Sequence, residues 1–327
     1  MSSLSSELEV RPGDGDATLV ARGGWQDFRR RLLRDRTALV AAAFLVLLVL
    51  AATVGAPIAA HATGHGPNTQ YENALSIDGF PLGPMQRTYN AAGTKHDPNG
   101  SLFVLGADRL GRDAMVRLFY GARVSLIVAF GATSLALGIG LVFGLVAGYF
   151  GGASDAVISR LIESAMAFPA LLLAVGLAVV IGPGLPNVLV VIALFTWFYP
   201  ARLVRTTTRS LRSSQFVEAA RAVGSSDARI LGRHVLPHLA TPLIVYGTSI
   251  VAINILFEAG LSYLGVGVPL PTASWGSMLS DGVTSGYYRY APALALVPGV
   301  ALVLTLLALN LLGDGLRDAL DPRASRR

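Results

Sequence analysis

Residues 215–238 read QFVEAARAVGSSDARILGRHVLPH, a polar, arginine-bearing helix-turn-helix pattern set between long apolar runs. Glu218, Ala219 and Ala220 open a helical segment whose small side chains leave room for close contact. Gly224 permits the turn that breaks it, because glycine enters left-handed backbone without steric cost. Nine residues, 225–233, separate Gly224 from His234-Val235-Leu236-Pro237, which closes the pattern. A soluble hairpin held inside a membrane chain needs a partner outside the membrane.

The chain around this hairpin is apolar. Of 327 residues, 53% are hydrophobic and 14% charged, with 36 glycines, which places the sequence among polytopic membrane proteins rather than two-domain soluble ones. A helical span takes about 20 apolar residues. Runs at 38–60, 123–150, 168–181, 188–203, 239–264 and 291–312 supply six candidates, several of them short or interrupted by Gly and Pro. The expected fold is therefore an all-α polytopic membrane protein with about six transmembrane helices and a helical hairpin at 215–238. The remaining divisions are a polar segment 1–37, an extramembrane loop 61–120, a five-helix core 121–314 and a tail 315–327.

The net charge of +6 raises nucleic acid as a partner, yet the arginines gather beside apolar runs rather than along one soluble face. The positive-inside rule accounts for them, and it sets the topology. Arg29, Arg30, Arg31, Arg34 and Arg36 precede the first span. Arg205, Arg209, Arg212, Arg221, Arg229 and Arg233 lie in the 204–238 connector, and Arg317, Arg323, Arg326 and Arg327 in the tail. External residues 265–290 hold only Arg289. Both termini and the hairpin are thus expected in the cytoplasm. The five basic residues of the 61–120 loop are offset by Glu72, Asp78, Asp97, Asp108 and Asp113, as suits an external segment. Ala60-His61-Ala62 has the form of a signal cleavage site, but the preceding run exceeds the 7 to 15 residues usual for a signal core, which favours an uncleaved span.

Several ordered motifs resemble the permease subunits of binding-protein-dependent ATP-binding-cassette importers, in the branch for dipeptides, oligopeptides and nickel, and within it the second, "C"-type permease. The hairpin carries the Glu-Ala-Ala, Gly and Leu-Pro spacing of that family, with His234 at a usually apolar place. Leu105-Gly106-Ala107-Asp108 through Gly111-Arg112-Asp113 is similar to the stretch before the second span, Ala107 replacing a usual Thr. Arg160 to Pro169 fits the family's Arg-x-x-Asp-x-x-x-Ala-Phe-Pro with Glu163 for Asp. Glu258-Ala259-Gly260, Trp275-Gly276, Gly313-Asp314-Gly315 and Asp321-Pro322-Arg323 extend the likeness to residues 38–323.

This resemblance implies a type I importer permease fold in a bacterial cytoplasmic (inner) membrane. It also implies a second homologous permease, two ABC ATPase subunits that use ATP and Mg, and an extracytoplasmic substrate-binding protein. Glu218, Ala219, Ala220, Arg221 and Gly224 would meet an ATPase, and Leu236 and Pro237 would set the return to the membrane. A bulky residue at Gly224 is expected to uncouple hydrolysis from uptake without abolishing assembly. Short peptides are the commonest cargo of the branch, with nickel complexes, glutathione and haem as alternatives.

The residues themselves exclude nucleotide chemistry of the phosphate-loop type: the single lysine, Lys95, sits in Gly93-Thr94-Lys95-His96, so no Gly-x-x-x-x-Gly-Lys-Ser/Thr loop exists. No enzyme activity and no cofactor of its own is expected of this chain. With no cysteine, disulfides and thiolate metal sites are excluded too. His61/His65 and His234/His238 share a four-residue spacing, but nearby Gly and Pro disfavour helix at one pair and Pro237 interrupts the other. An ion-gradient-driven transporter would show inverted repeats or midplane carboxylates, and neither is visible.

Three features have competing readings. Ala132, Ala136, Gly140, Gly144 and Gly148 form a small-residue stripe, for packing within the chain or against a second permease. Glu258 and Arg123 near span ends are candidates for substrate contact, or for snorkelling or a structural pair. Arg109 to Tyr120 reads as an amphipathic helix on the outer membrane surface, for anchoring there or for receiving substrate from a binding protein. Asp108 is placed to cap the helix that follows, and Arg160 and Glu163 to pair at helical spacing.

Overall fold

A computed structural model describes residues 24–284, 286, 289 and 291–320. Residues 1–23 and the Asp321-Pro322-Arg323 motif, with Arg326 and Arg327, lie outside the described residues.

Helix α1 (Gly24–Leu32) precedes α2 (Arg36–Thr63), whose start is fixed by Asp35. The Asp35 carboxylate accepts from the Thr37 amide at 2.9 Å and the Ala38 amide at 3.1 Å. The Thr37 hydroxyl, foremost, and the Ala38 amide hold that carboxyl below its usual range. This support is full above the ordinary carboxylate pKa and is lost as pH falls through the lowered one. Further on come α3 (Ala114–Phe150), α4 (Gly152–Met166), α5 (Ala170–Ile181), α6 (Leu185–Leu194), α7 (Phe198–Arg212), α8 (Gln215–Ala222), α9 (Asp227–Tyr263), α10 (Trp275–Thr284) and α11 (Ala293–Leu320). Four of these, α2, α3, α9 and α11, are long and apolar enough to cross a membrane. The pairs α4/α5 and α6/α7, bent by 91° and 41°, bring the number to six if each counts as one broken span.

Helix α3 is the centre of the bundle, against α7, α9 and α6, while α11 packs on α2, α9 and α10. The small-residue stripe resolves in favour of packing within the chain. A Cβ on Gly140 would stand 2.8 Å from the Trp197 carbonyl and the Ala201 nitrogen, and one on Gly148 would stand 2.6 Å from the Arg205 carbonyl. The stripe lets α7 lie on α3 backbone to backbone, the device by which membrane helices associate without a hydrophobic driving force. The motif glycines act alike: Gly276 meets the Ala259 backbone, and Gly313 the Thr248 side chain.

The segment between α2 and α3 folds into a small cap. Strands β1 (Gln86–Arg87) and β2 (Leu102–Phe103) pair antiparallel over a core of Ala74, Leu82, Phe103 and Ala107. Here two sequence expectations are corrected. The surface helix expected over Arg109–Tyr120 does not form: Arg109 to Asp113 is loop, and Ala114 onward already belongs to α3. Its arginines are not a solvated face, since Arg112 and Arg117 are buried beside Asp108, at 2.6 and 3.2 Å. Asp281 on α10 joins them, 2.9 Å from Arg109 and 3.4 Å from Arg112. Nor does Asp108 cap α3; Asp113 does, accepting from the Met115 and Val116 amides at 2.8 and 3.1 Å. Its other oxygen meets Nδ1 of buried His65 at 2.7 Å, which occupies that histidine with a carboxylate instead of with His61.

Candidate functional site: the 215–238 hairpin

Helix α8 begins after extended Ser214 and buries only Val217 and Ala220. These two sit among Tyr149, Val204, Ile230, Val235 and Leu239, so α8 lies on the ends of α3, α7 and α9. The opposite face presents Glu218, Ala219, Arg221 and Ala222 to solvent. Among the residues singled out for docking, Ala220 therefore points inward, and its small side chain sets how closely α8 rests on the spans.

The turn is a Schellman motif. Gly224, at φ +80°, donates its amide to the Arg221 carbonyl and Ser225 donates to the Ala220 carbonyl, both at 3.0 Å. A Cβ on Gly224 would meet nothing within 4 Å, so the glycine is required by backbone conformation and not by crowding inside the chain. The turn also thrusts out Val223, 82% exposed. This apolar side chain, held in the open beside the exposed face of α8, is a feature that the residue pattern alone did not single out.

The return arm is continuous with the span. Pro237, expected to interrupt the helix at the His234/His238 pair, does not break it: α9 runs from Asp227 to Tyr263 through a π-helical turn at Leu231–Val235. The wide turn is what makes this feasible. Pro237 has no amide to offer the ordinary ladder, and Leu236 bonds one residue further back, to Leu231. His238 spends Nδ1 on the His234 carbonyl at 2.7 Å and stacks on Phe216 at 5.1 Å.

Polar contacts fasten the hairpin to the spans. The Tyr149 hydroxyl donates to Asp227 at 2.6 Å and Arg221 donates to Tyr149 at 3.4 Å; alongside, Arg212 at the end of α7 donates to the Phe150 carbonyl of α3 at 3.3 Å, joining the two spans. Beside them Arg205 holds Asp155 of α4, with one contact at 3.1 Å. The Arg160–Glu163 pair forms at 3.0 Å as its spacing suggests, but both side chains are largely exposed. Arg160→Ala is accordingly expected to change stability by no more than about 0.5 kcal/mol in a thermal melt of the purified protein.

Glu258 proves to be neither snorkelling nor solvent-facing. It is fully buried, accepting from the Ser125 and Ser262 hydroxyls, each at 2.7 Å, and so ties α9 to α3 near the start of α10. Glu258→Ala is expected to leave hydroxyls unpaired and to destabilise by about 1–3 kcal/mol for each. Glu258→Gln, which keeps an acceptor, should melt closer to the wild type.

Comparison with known proteins agrees with this geometry. Residues 140–326 match the family model described as a binding-protein-dependent transport system inner membrane component, and residues 24–78 match that for the N-terminal TM domain of oligopeptide transport permease C. A glutathione transport system permease protein of Pectobacterium atrosepticum is 36% identical over 302 residues, 92% of each chain. A putative peptide transport system permease protein of Brucella abortus is 38% identical over 296 residues, 90% of each. In fold, the chain is similar to an inward-facing MetNI methionine ABC transporter structure, with TM-score 0.52 and 22% identity over 63% of this chain and 97% of that one. The membrane helices, the hairpin and these matches together show that the chain belongs to the binding-protein-dependent transport system inner membrane components, as a permease of the ABC importer type.

Proposed function

We propose that this chain is one permease half of an ATP-driven importer of dipeptides and oligopeptides, with the 215–238 hairpin as the seat of an ATPase subunit. The observation that carries the reading is the exposed face of α8, ending in a glycine turn that holds Val223 outward. A short helix seated on the ends of three spans passes a push from an ATPase into the membrane as a rigid-body movement. Glu218, Ala219, Arg221, Ala222 and Val223 make the docking face, and Gly224 sets its angle. Leu236 and Pro237 lie within the arm that carries movement into α9.

The single-lysine sequence has no phosphate loop, so ATP and Mg belong to two partner ATPases. Arginine placement supports both termini and the hairpin in the cytoplasm of a bacterial inner membrane, with the 64–113 cap outside, where an extracytoplasmic binding protein would deliver cargo. A second permease completes the pathway. Glutathione is the second reading for cargo; it is itself a tripeptide, and a curated relative at 36% identity is named for its transport.

ATP hydrolysis by the reconstituted complex, with and without binding protein and with a dipeptide or glutathione, tests the proposal. Stimulation by the dipeptide supports peptide import, and stimulation by glutathione alone selects the second reading. A purified complex with no associated hydrolysis would overturn the assignment.

A further inference from the structure

We propose that the Tyr149 hydroxyl is the positioning contact through which the hairpin drives α3, and that without it hydrolysis and transport come apart. This rests on the reading of the hairpin as an ATPase seat. Tyr149 lies in the last turn of α3 and is 3% exposed. Its hydroxyl donates to Asp227, the first residue of α9, at 2.6 Å and accepts from Arg221, in the last turn of α8, at 3.4 Å. The Arg221 guanidinium also stands 5.9 Å from the centre of the Tyr149 ring. One phenol thus clamps both arms of the hairpin, on either side of the Gly224 turn.

The rest of the hairpin's seat is apolar: Tyr149, Val204, Val217, Ala220, Ile230, Val235 and Leu239 form one cluster. Apolar contact resists separation but is non-directional, so it lets surfaces slide. A phenol–carboxylate hydrogen bond is short, directional and charge-assisted, and it fixes the register of the hairpin on α3.

The two helices that receive this contact differ in stiffness. Helix α9 carries a π-helical turn at Leu231–Val235, Pro237 just beyond it, and Pro242, all places where a helix bends. Helix α3 runs 37 residues as unbroken α-helix with no proline. A displacement of the hairpin is therefore absorbed early in α9 but carried along α3. At 1.5 Å per residue α3 is about 55 Å long, well beyond the roughly 30 Å hydrocarbon layer. Its far end is no free terminus. Asp113 caps it while bonded to His65 of the cap, and Arg117 donates to the Pro67 and Pro271 carbonyls at 3.0 and 3.2 Å. The clamp at Tyr149 thus acts on a rod whose other end holds the cap and the segment leading into α10.

The experiment uses the full complex in vesicles, with ATPases and binding protein, and reads molecules of dipeptide or glutathione transported per ATP hydrolysed. Wild type is compared with Tyr149→Phe, Asp227→Ala and the double variant. Tyr149→Phe keeps the ring in its apolar cluster, and Asp227 is exposed, so Asp227→Ala removes the acceptor without disturbing the core. The expected result is assembly and substrate-free hydrolysis within twofold of wild type, with transport per ATP at least tenfold lower in each single variant. The double variant should be no worse than either single one. A wild-type ratio in Tyr149→Phe overturns the proposal, as does a parallel fall of hydrolysis and transport at unchanged ratio, which marks the hydroxyl as structural only. Absence of hydrolysis in the wild-type complex is a separate outcome, which removes the ATPase seat and this proposal with it.

Discussion

Gly224→Val is expected to abolish uptake by the assembled transporter while leaving the chain in the membrane with its partners bound. The turn places Gly224 at φ +80°, where an L-residue costs about 1–2 kcal/mol and a β-branched one more. With open space around its Cβ position, the substitution creates no clash in this chain, and a penalty of that size leaves the bundle folded. It acts on the turn itself. The bonds from Gly224 to Arg221 and from Ser225 to Ala220 both need the left-handed residue, and losing them lets Val223 swing and re-aims the docking face. Paired uptake and hydrolysis assays in vesicles check this: uptake should vanish while hydrolysis persists. Gly224→Asn, which tolerates the same conformation, should keep most uptake. Normal uptake with valine would sink the assignment.

Gly144→Leu should do the reverse, removing folded chain rather than coupling. A Cβ there would stand 2.7 Å from the Ala201 carbonyl and 2.6 Å from Cβ of Val204, with Gly140 and Gly148 equally enclosed one turn to either side. The obstruction is partly backbone, so no rotamer change relieves it. Forcing extra carbon into a close-packed seam costs about 1–3 kcal/mol or more, and this seam joins the two helices at the centre of the bundle. Yield of monodisperse protein after mild detergent extraction should collapse. Gly138→Leu, on the same helix with nothing within 4 Å of its Cβ position, should be extracted like wild type. Equal yields from the two variants would show that α7 does not rest on this stripe.

The residues most legible in the sequence were those whose side chains answer a local demand. Gly224 is where a left-handed turn needs a glycine, and Gly140, Gly144 and Gly148 repeat at the spacing of one helix face. The family resemblance located the hairpin for the same reason, since its spacing is local. What stayed hidden depends on distant partners. Nothing in the sequence around Tyr149 announces Asp227, 78 residues on, and Arg112 and Arg117 read as a charged surface until Asp108 and Asp281 are brought beside them. The choice between Asp108 and Asp113 as cap turned on five residues, which is about the uncertainty of helix boundaries read from pattern. Ala219 and Ala220 differ only in direction: one faces solvent and the other the spans, a distinction the small-residue pattern does not encode.

The brevity of α5 and α6 bears on how the chain is made. With 12 and 10 residues they reach only about 18 and 15 Å, short of the roughly 30 Å a lone crossing requires. Each reaches bilayer length only together with the helix beside it, α4 for α5 and α7 for α6, so neither is expected to partition into lipid as a lone segment while the chain is being made.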